Sequence, residues 1–231
     1  MLTVKFNWSR SFRPHLSTIG QIIKIGLPLA TAGIIFSVVY LFMNRITASF
    51  GTEAMAALGI GNRCESLSYL GCVGFSVAVA TLVGQNLGAG HPERAAKSAW
   101  YALAITGSIT LGISIAFLTV PSLIAKAFID DPKVQEIAAS YLIILALSQS
   151  FMAAEIVLEG AFSGAGDTLP VMIVSILGSF ARIPLAQFIA YGLHQGISGV
   201  WWAITLTSIV KGTILVYWFN RGKWKHKHVQ A

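Results

Sequence analysis

Residues 54–87 read AMAALGIGNRCESLSYLGCVGFSVAVATLVGQNL, an apolar run whose only charges are Arg63 and Glu65. The run is far longer than a soluble strand, and a helix needs only about 20 such residues to cross the hydrocarbon of a bilayer. Inside that hydrocarbon each backbone amide must find a partner within its own segment, so a helix is the expected form. Five further runs of this character extend from Ile25 to Phe50, Ala95 to Phe128, Val134 to Phe162, Leu169 to Tyr191 and Ile197 to Phe219, with Pro121 near the end of the Ala95 run. Glycine, proline and aspartate punctuate them at Gly51-Thr52, Gly88 to Pro92, Asp130-Asp131-Pro132, Gly164 to Thr168 and Gly192 to Gly196. The expected fold is an all-α integral membrane bundle of six transmembrane helices.

Composition points the same way. Of 231 residues, 55% are hydrophobic and 11% charged, and the mean hydropathy is +0.71. A soluble domain carries about 25% charged residues. So few charges cannot cover a water-facing surface, which argues against a soluble enzyme, a nucleic-acid-binding module and a disordered tail. The formal net charge of +7 comes from 16 basic and 9 acidic residues. Its distribution is that of a topology signal. With six spans both termini share a side, and that side receives Lys5, Arg10, Arg13, Lys24, Arg94, Lys97, Arg221, Lys223, Lys225 and Lys227. The opposite side receives Lys126 and Lys133 beside Asp130, Asp131 and Glu136. The excess of Lys and Arg assigns both termini to the cytoplasm of a cell-membrane protein.

The domain reading is a basic cytoplasmic lead-in over residues 1–23, the bundle over 24–220 and a basic tail over 221–231. The first residues lack the apolar core and cleavage site of a signal peptide. Trp218 and Trp224 at one end, and Trp201 and Trp202 near the other, fit either interfacial anchoring or helix packing. Cys64 and Cys72 lie about 12 Å apart along a helix, too far for a disulfide. No Cys/His spacing resembles a metal site.

Ionisable residues inside the spans carry most of the functional information, because charge in a bilayer is costly and is usually paired or functional. Arg63 and Glu65 fall halfway along the second span, Glu155 and Glu159 in the fourth, Arg182 in the fifth and Lys211 in the sixth. On a helix Asn62, Glu65, Ser66 and Tyr69 share an arc of about 100°, while Arg63 points the other way. Glu155 and Glu159 share a face, with Ser148 and Gln149 extending it. Two readings stay open. Glu65, Glu155, Glu159, Asn62 and Tyr69 are candidates for binding a substrate or a coupling ion in a cavity. Alternatively Arg63, Arg182 and Lys211 make structural ion pairs, such as Glu65 with Arg182 or Glu155 with Lys211. Gly84-x-x-x-Gly88 and Gly160-x-x-x-Gly164 permit close helix contact. The motifs H-E-x-x-H, G-x-S-x-G and the P-loop are missing, and every histidine lies in a tail or loop, so the chain does not read as an enzyme.

Several of these stretches form an ordered set. Ile60-Gly61-Asn62-Arg63-Cys64-Glu65, Gly74-Phe75-Ser76, residues 82–90, residues 159–168, Arg182-Ile183-Pro184-Leu185-Ala186, residues 199–204 and Lys211-Gly212 resemble the multidrug and toxic compound extrusion (MATE) family. The resemblance runs from about Phe12 to Lys225 and covers the C-terminal six-helix half of a twelve-helix transporter. It implies a secondary antiporter that exports organic cations or drugs against H+ or Na+ by alternating access, with no cofactor. It further implies a lipid bilayer setting and a second bundle, either a missing N-terminal one or another copy of this chain, and no nucleic acid. The chain departs from the family pattern at Phe36-Ser37, where some members carry an acidic residue, and at Ser163, where many carry Arg. Two alternatives remain at this point: a lipid- or oligosaccharide-linked flippase of the same superfamily, and a truncated, non-transporting membrane scaffold.

Overall fold

The computed structural model describes residues 16–226. Lys5, Arg10, Arg13, Lys227 and the start of the family resemblance at Phe12 lie outside the described residues. Eight α-helices follow one another: α1 (Leu16–Ala48), α2 (Thr52–Gly88), α3 (Pro92–Thr119), α4 (Pro121–Lys126), α5 (Pro132–Ala146), α6 (Gln149–Gly164), α7 (Leu169–Gln187) and α8 (Ile197–Asn220). A π-helical turn, Phe188–Gly192, extends α7, and a 3-10 turn, Lys223–His226, follows α8. Helices α1, α2, α3, α7 and α8 are each long and apolar enough to cross a membrane, and α5 with α6 makes a sixth, bent crossing. The connections are short, and Gly51, Gly90, Gly166 and Gly196 take the positive φ angles that let the chain reverse.

Three boundaries differ from the expectation. Helix α1 begins at Leu16, so the last part of the supposed lead-in is already helical. The third run stops at Thr119 because Pro121 cannot continue the hydrogen-bond ladder. Proline also drives the residue before it out of helical geometry, and Val120 sits at φ −131° and ψ 42°. The fourth run is not one straight helix: α5 and α6 meet at 57° across Leu147-Ser148. Such a break frees carbonyl groups that hydrocarbon cannot satisfy. Neighbouring helices supply the donors, with Ser114 Oγ of α3 donating to Ala146 O at 2.8 Å and Thr205 Oγ1 of α8 to Ile144 O at 3.2 Å.

The core of the described residues consists of two large apolar caps, a small apolar cluster of Cys72, Met152, Ala153 and Ile156, and a polar layer between the caps. One cap packs Val39, Met43, Leu58, Tyr141, Leu142 and Trp201 near the end where α1 turns into α2. The other packs Val83, Ala99, Phe162, Leu215, Phe219 and Trp224 near the end bearing the termini. Between the caps the buried positions turn polar on one helix after another: Ser68 on α2, Thr106, Thr110 and Ser114 on α3, Gln149 on α6, Ser179 and Arg182 on α7, and Thr207 and Lys211 on α8. Two of the four tryptophans considered as anchors belong to the caps. Trp201 is fully buried and stacks on Tyr141 with ring centroids 4.3 Å apart, and Trp224 stacks on Phe219 at 4.5 Å. Their indoles fill space between helices instead of sitting at the bilayer surface.

Close backbone approach holds the layer together. Helix α6 crosses α2 where Gly160 and Gly164 face the backbone of Ser76 and Ala80, with no room for a side chain. Ser76 Oγ uses this proximity to donate to Ile156 O at 2.7 Å. Of the other small-residue pair, Gly84 lies against Gly164 O, whereas Gly88 borders open space and only ends its helix. Both cysteines are buried and free.

Candidate functional site

Five of the in-span charges converge in the polar layer, delivered by four helices. Helix α2 brings Glu65, α6 brings Glu155 and Glu159, α7 brings Arg182, and α8 brings Lys211. Lys211 is 4% exposed, and its Nζ donates to Glu155 Oε1 at 2.6 Å. Its long stem passes over Gly178 of α7, where an added Cβ would strike the Lys211 side chain. Gly178 therefore makes the channel through which a lysine rooted on α8 reaches a carboxylate on α6.

Arg182 is also buried, at 5% exposure, but no carboxylate holds it. Its Nε donates to Thr207 Oγ1 at 2.9 Å and its Nη2 to Ser208 Oγ at 3.3 Å. Thr207 in turn donates to its own helix, at Ala203 O 2.8 Å away. The expected Glu65–Arg182 ion pair is absent from the described residues; hydroxyl groups one turn below Lys211 take its place. Glu65 and Glu155 still lie within the electrostatic reach of Arg182, as do Tyr141 and Tyr40. Arg63, the third basic candidate, is exposed on the outer side of α2 and forms none of the ion pairs among the described residues.

The remaining candidates divide. Asn62 is partly buried, and its Nδ2 donates to Tyr40 OH on α1. Glu65 is partly buried, whereas Ser66 and Tyr69 on the same arc are exposed, so only part of the expected stripe turns inward. Tyr69 lies in the field of Glu159 and Glu155. Gln149 is the first residue of α6, the helix that carries Glu155 and Glu159, and the α5–α6 bend sets only Ser148 off from it. Gln149 is fully buried and pairs with Ser68 Oγ at 2.9 Å. Ser68 also lies 2.8 Å from Glu65 O, and a single hydroxyl proton cannot serve both acceptors. An amide orientation in which Gln149 Nε2 donates to Ser68 Oγ satisfies both contacts.

The arrangement is asymmetric. Both bases are buried, while Glu65, Glu155 and Glu159 are partly exposed. The acids thus line the accessible side of the layer and the bases back them. Tyr40, Tyr141, Thr207 and Ser208 were not singled out from the sequence. Thr207 and Ser208 had a usable signal there, lying about one helical turn before Lys211.

The MatE family model matches residues 28–188. A probable multidrug resistance protein NorM of Thermotoga maritima is 33% identical over 220 residues, covering 94% of this chain and 47% of that protein. Multidrug and toxin extrusion protein 1 of Pongo abelii is 25% identical over 187 residues, covering 80% of this chain and 33% of that protein. Among solved structures, a MATE in the bent conformation superposes with a TM-score of 0.85 at 20% identity, over 94% of this chain and 48% of that one. A MOP superfamily transporter from Pyrococcus furiosus superposes with a TM-score of 0.79 at 21% identity, over 86% of this chain and 44% of that one. The chain spans about half the length of the curated relatives it matches. Its fold is that of one half of such a transporter, and the chain belongs to the multidrug and toxic compound extrusion (MatE) family.

Proposed function

We propose that this chain forms one bundle of a cation-coupled exporter of organic cations, working by antiport against H+ or Na+ and not by catalysis. The observation that carries this reading is the buried charge layer. Three carboxylates, Glu65, Glu155 and Glu159, stand against two bases, Arg182 and Lys211, leaving one net negative charge when all are ionised. Charge placed at mid-depth of a span is costly. A layer with one negative charge in excess is best satisfied by one monovalent cation or proton. Tyr40 and Tyr69 flank it with aromatic rings that suit an organic cation. A flippase for phosphorylated lipids would need the opposite sign at this place.

Alternating access requires a second bundle, which we assign to an N-terminal six-helix bundle or to another copy of this chain. The rival reading is a membrane scaffold that does not transport. Drug efflux from cells expressing the chain separates the two. Glu65 forms none of the ion pairs among the described residues, so Glu65→Gln changes the charge of the layer with little structural disturbance. That variant is expected to insert normally and to lose efflux. Efflux equal to that of the unmodified chain would remove Glu65 from coupling, and a chain that never extrudes drug would favour the scaffold.

We place both termini in the cytoplasm of a cell-membrane protein on the charge bias of the connections. Cys64 and Cys72 are buried, so introduced cysteines can be labelled over a low background. An impermeant maleimide added outside intact cells is expected to label Asp130→Cys and to leave His91→Cys unmodified until the membrane is opened. The reverse pattern would invert the assignment.

A further inference from the structure

Outside the polar layer, a cleft of about 300 Å³ opens between the start of α7 and the end of α8, at the end of the bundle bearing the termini. Its walls divide by chemistry. Leu169 and Ile173 of α7 and the ring of Trp218 make an apolar side, and Arg221 and Lys223 stand at the other with Asp167. The cleft is held in shape by the turn after α8. Trp224 is 1% exposed, and its indole N–H donates to Phe219 O at 2.9 Å. On the other side Lys225 pairs with Glu93 of α3 at 2.9 Å. Both contacts hold the turn at the two residues that follow Lys223.

Neither cation at the cleft belongs to an ion pair among the described residues. The guanidinium of Arg221 lies 4.6 Å from the centre of the Tyr217 ring and donates to the Tyr217 hydroxyl, a neutral partner. Asp167 is buried in the wall and engaged within the protein. Among the described lining residues, Arg221 and Lys223 are the two cations that face the cleft. From the cleft an apolar stripe runs along α7 toward the middle of the span: Leu169, Ile173, Leu177 and Phe180 are 51%, 43%, 65% and 51% exposed. Their spacing of three and four residues puts them on one helix face.

The geometry points to a binding site for an anionic phospholipid, its phosphodiester between Arg221 and Lys223 and an acyl chain along the Leu169–Phe180 stripe. A basic pocket between transmembrane helices at the headgroup level suits such a lipid. The two cations suit a phosphodiester in a headgroup that brings no cation of its own. A soluble phosphate would make no use of the stripe, and a zwitterionic lipid would bring its ammonium group up against Arg221 and Lys223.

Native mass spectrometry of the purified chain in detergent, titrated with dioleoylphosphatidylglycerol or dioleoylphosphatidylethanolamine, reads the site. The first phosphatidylglycerol is expected to bind at least about tenfold more tightly than phosphatidylethanolamine, and Arg221→Gln/Lys223→Gln is expected to erase that preference. Ile173→Trp keeps both cations but fills the cleft, and it is expected to weaken the first phosphatidylglycerol about fivefold or more. Lys126→Gln/Lys133→Gln removes two cations from the opposite end and is expected to change nothing. Equal binding of the two lipids by the unmodified chain overturns the proposal. So does unchanged binding in Ile173→Trp, or a loss in Lys126→Gln/Lys133→Gln as large as that at the cleft.

Discussion

Gly160→Leu is expected to prevent the bundle from forming, and Gly164→Leu to do nearly the same. At both positions the first atom of a side chain would meet backbone of α2, at Ser76 and Ala80. Backbone cannot swing aside as a flexible side chain can, so α6 would have to lift away from α2. That movement would open the apolar cap around Val157, Leu158 and Ala161, and it would break the bond from Ser76 Oγ to Ile156 O. Overpacking a well-filled core costs about 1–3 kcal/mol and occasionally more. Here the crossing also positions Glu155 and Glu159, so two links fail together. The readout is the yield of monodisperse protein in mild detergent and its thermal unfolding. Gly88→Ala is the control, since that glycine borders open space. A Gly160→Leu chain that melts with the unmodified one would show that the α2–α6 crossing is not as close as described.

The second large effect concerns Lys211 and Glu155. Removing one member of a buried ion pair leaves the other uncompensated, at a cost of about 3–5 kcal/mol. An unpaired lysine at the centre of a span costs about 2.5–3.5 kcal/mol on insertion scales. Both Lys211→Met and Glu155→Gln should therefore unfold at clearly lower temperature than the unmodified chain. The double variant Lys211→Met/Glu155→Gln carries no charge at either place and should recover most of the loss. A hydrophobic replacement of a buried pair is often neutral or better. The sign of the coupling in this double-mutant cycle is the result that matters. If the double variant is as unstable as the two losses added, the residues act independently and the 2.6 Å contact contributes nothing. The cycle also explains why Glu65→Gln is the cleaner probe of transport: Glu155→Gln strands Lys211.

Much of the architecture is legible in the sequence. Hydrocarbon imposes length and backbone satisfaction on each segment, so the run from Ala54 to Leu87 can be placed to within a few residues. Orientation around each helix is much less legible. A span that is apolar on every side has no hydrophobic face to mark the interior, because lipid and protein core look alike to it. For that reason Trp201 and Trp224 read equally well as anchors or packers, and the structure puts both in the core. The α5–α6 bend escaped for another reason. Leu147-Ser148 contains neither proline nor glycine, and the donors that make the bend tolerable, Ser114 and Thr205, come from helices distant in sequence. The partners of Arg182 are not legible in the sequence. A buried guanidinium suggests a carboxylate, yet Thr207 and Ser208 supply acceptors at lower desolvation cost than a second ionised group.

We propose that the excess negative charge of this layer couples extrusion to an ion gradient. Proteoliposomes containing the chain, loaded with a lipophilic organic cation and given an imposed H+ or Na+ gradient, test it most directly. The account predicts that release of the organic cation accelerates when one of the gradients is applied. The acceleration should stop when an ionophore collapses that gradient, and it should be lost in Glu65→Gln. Release that ignores both gradients, or that persists unchanged in Glu65→Gln, would contradict it.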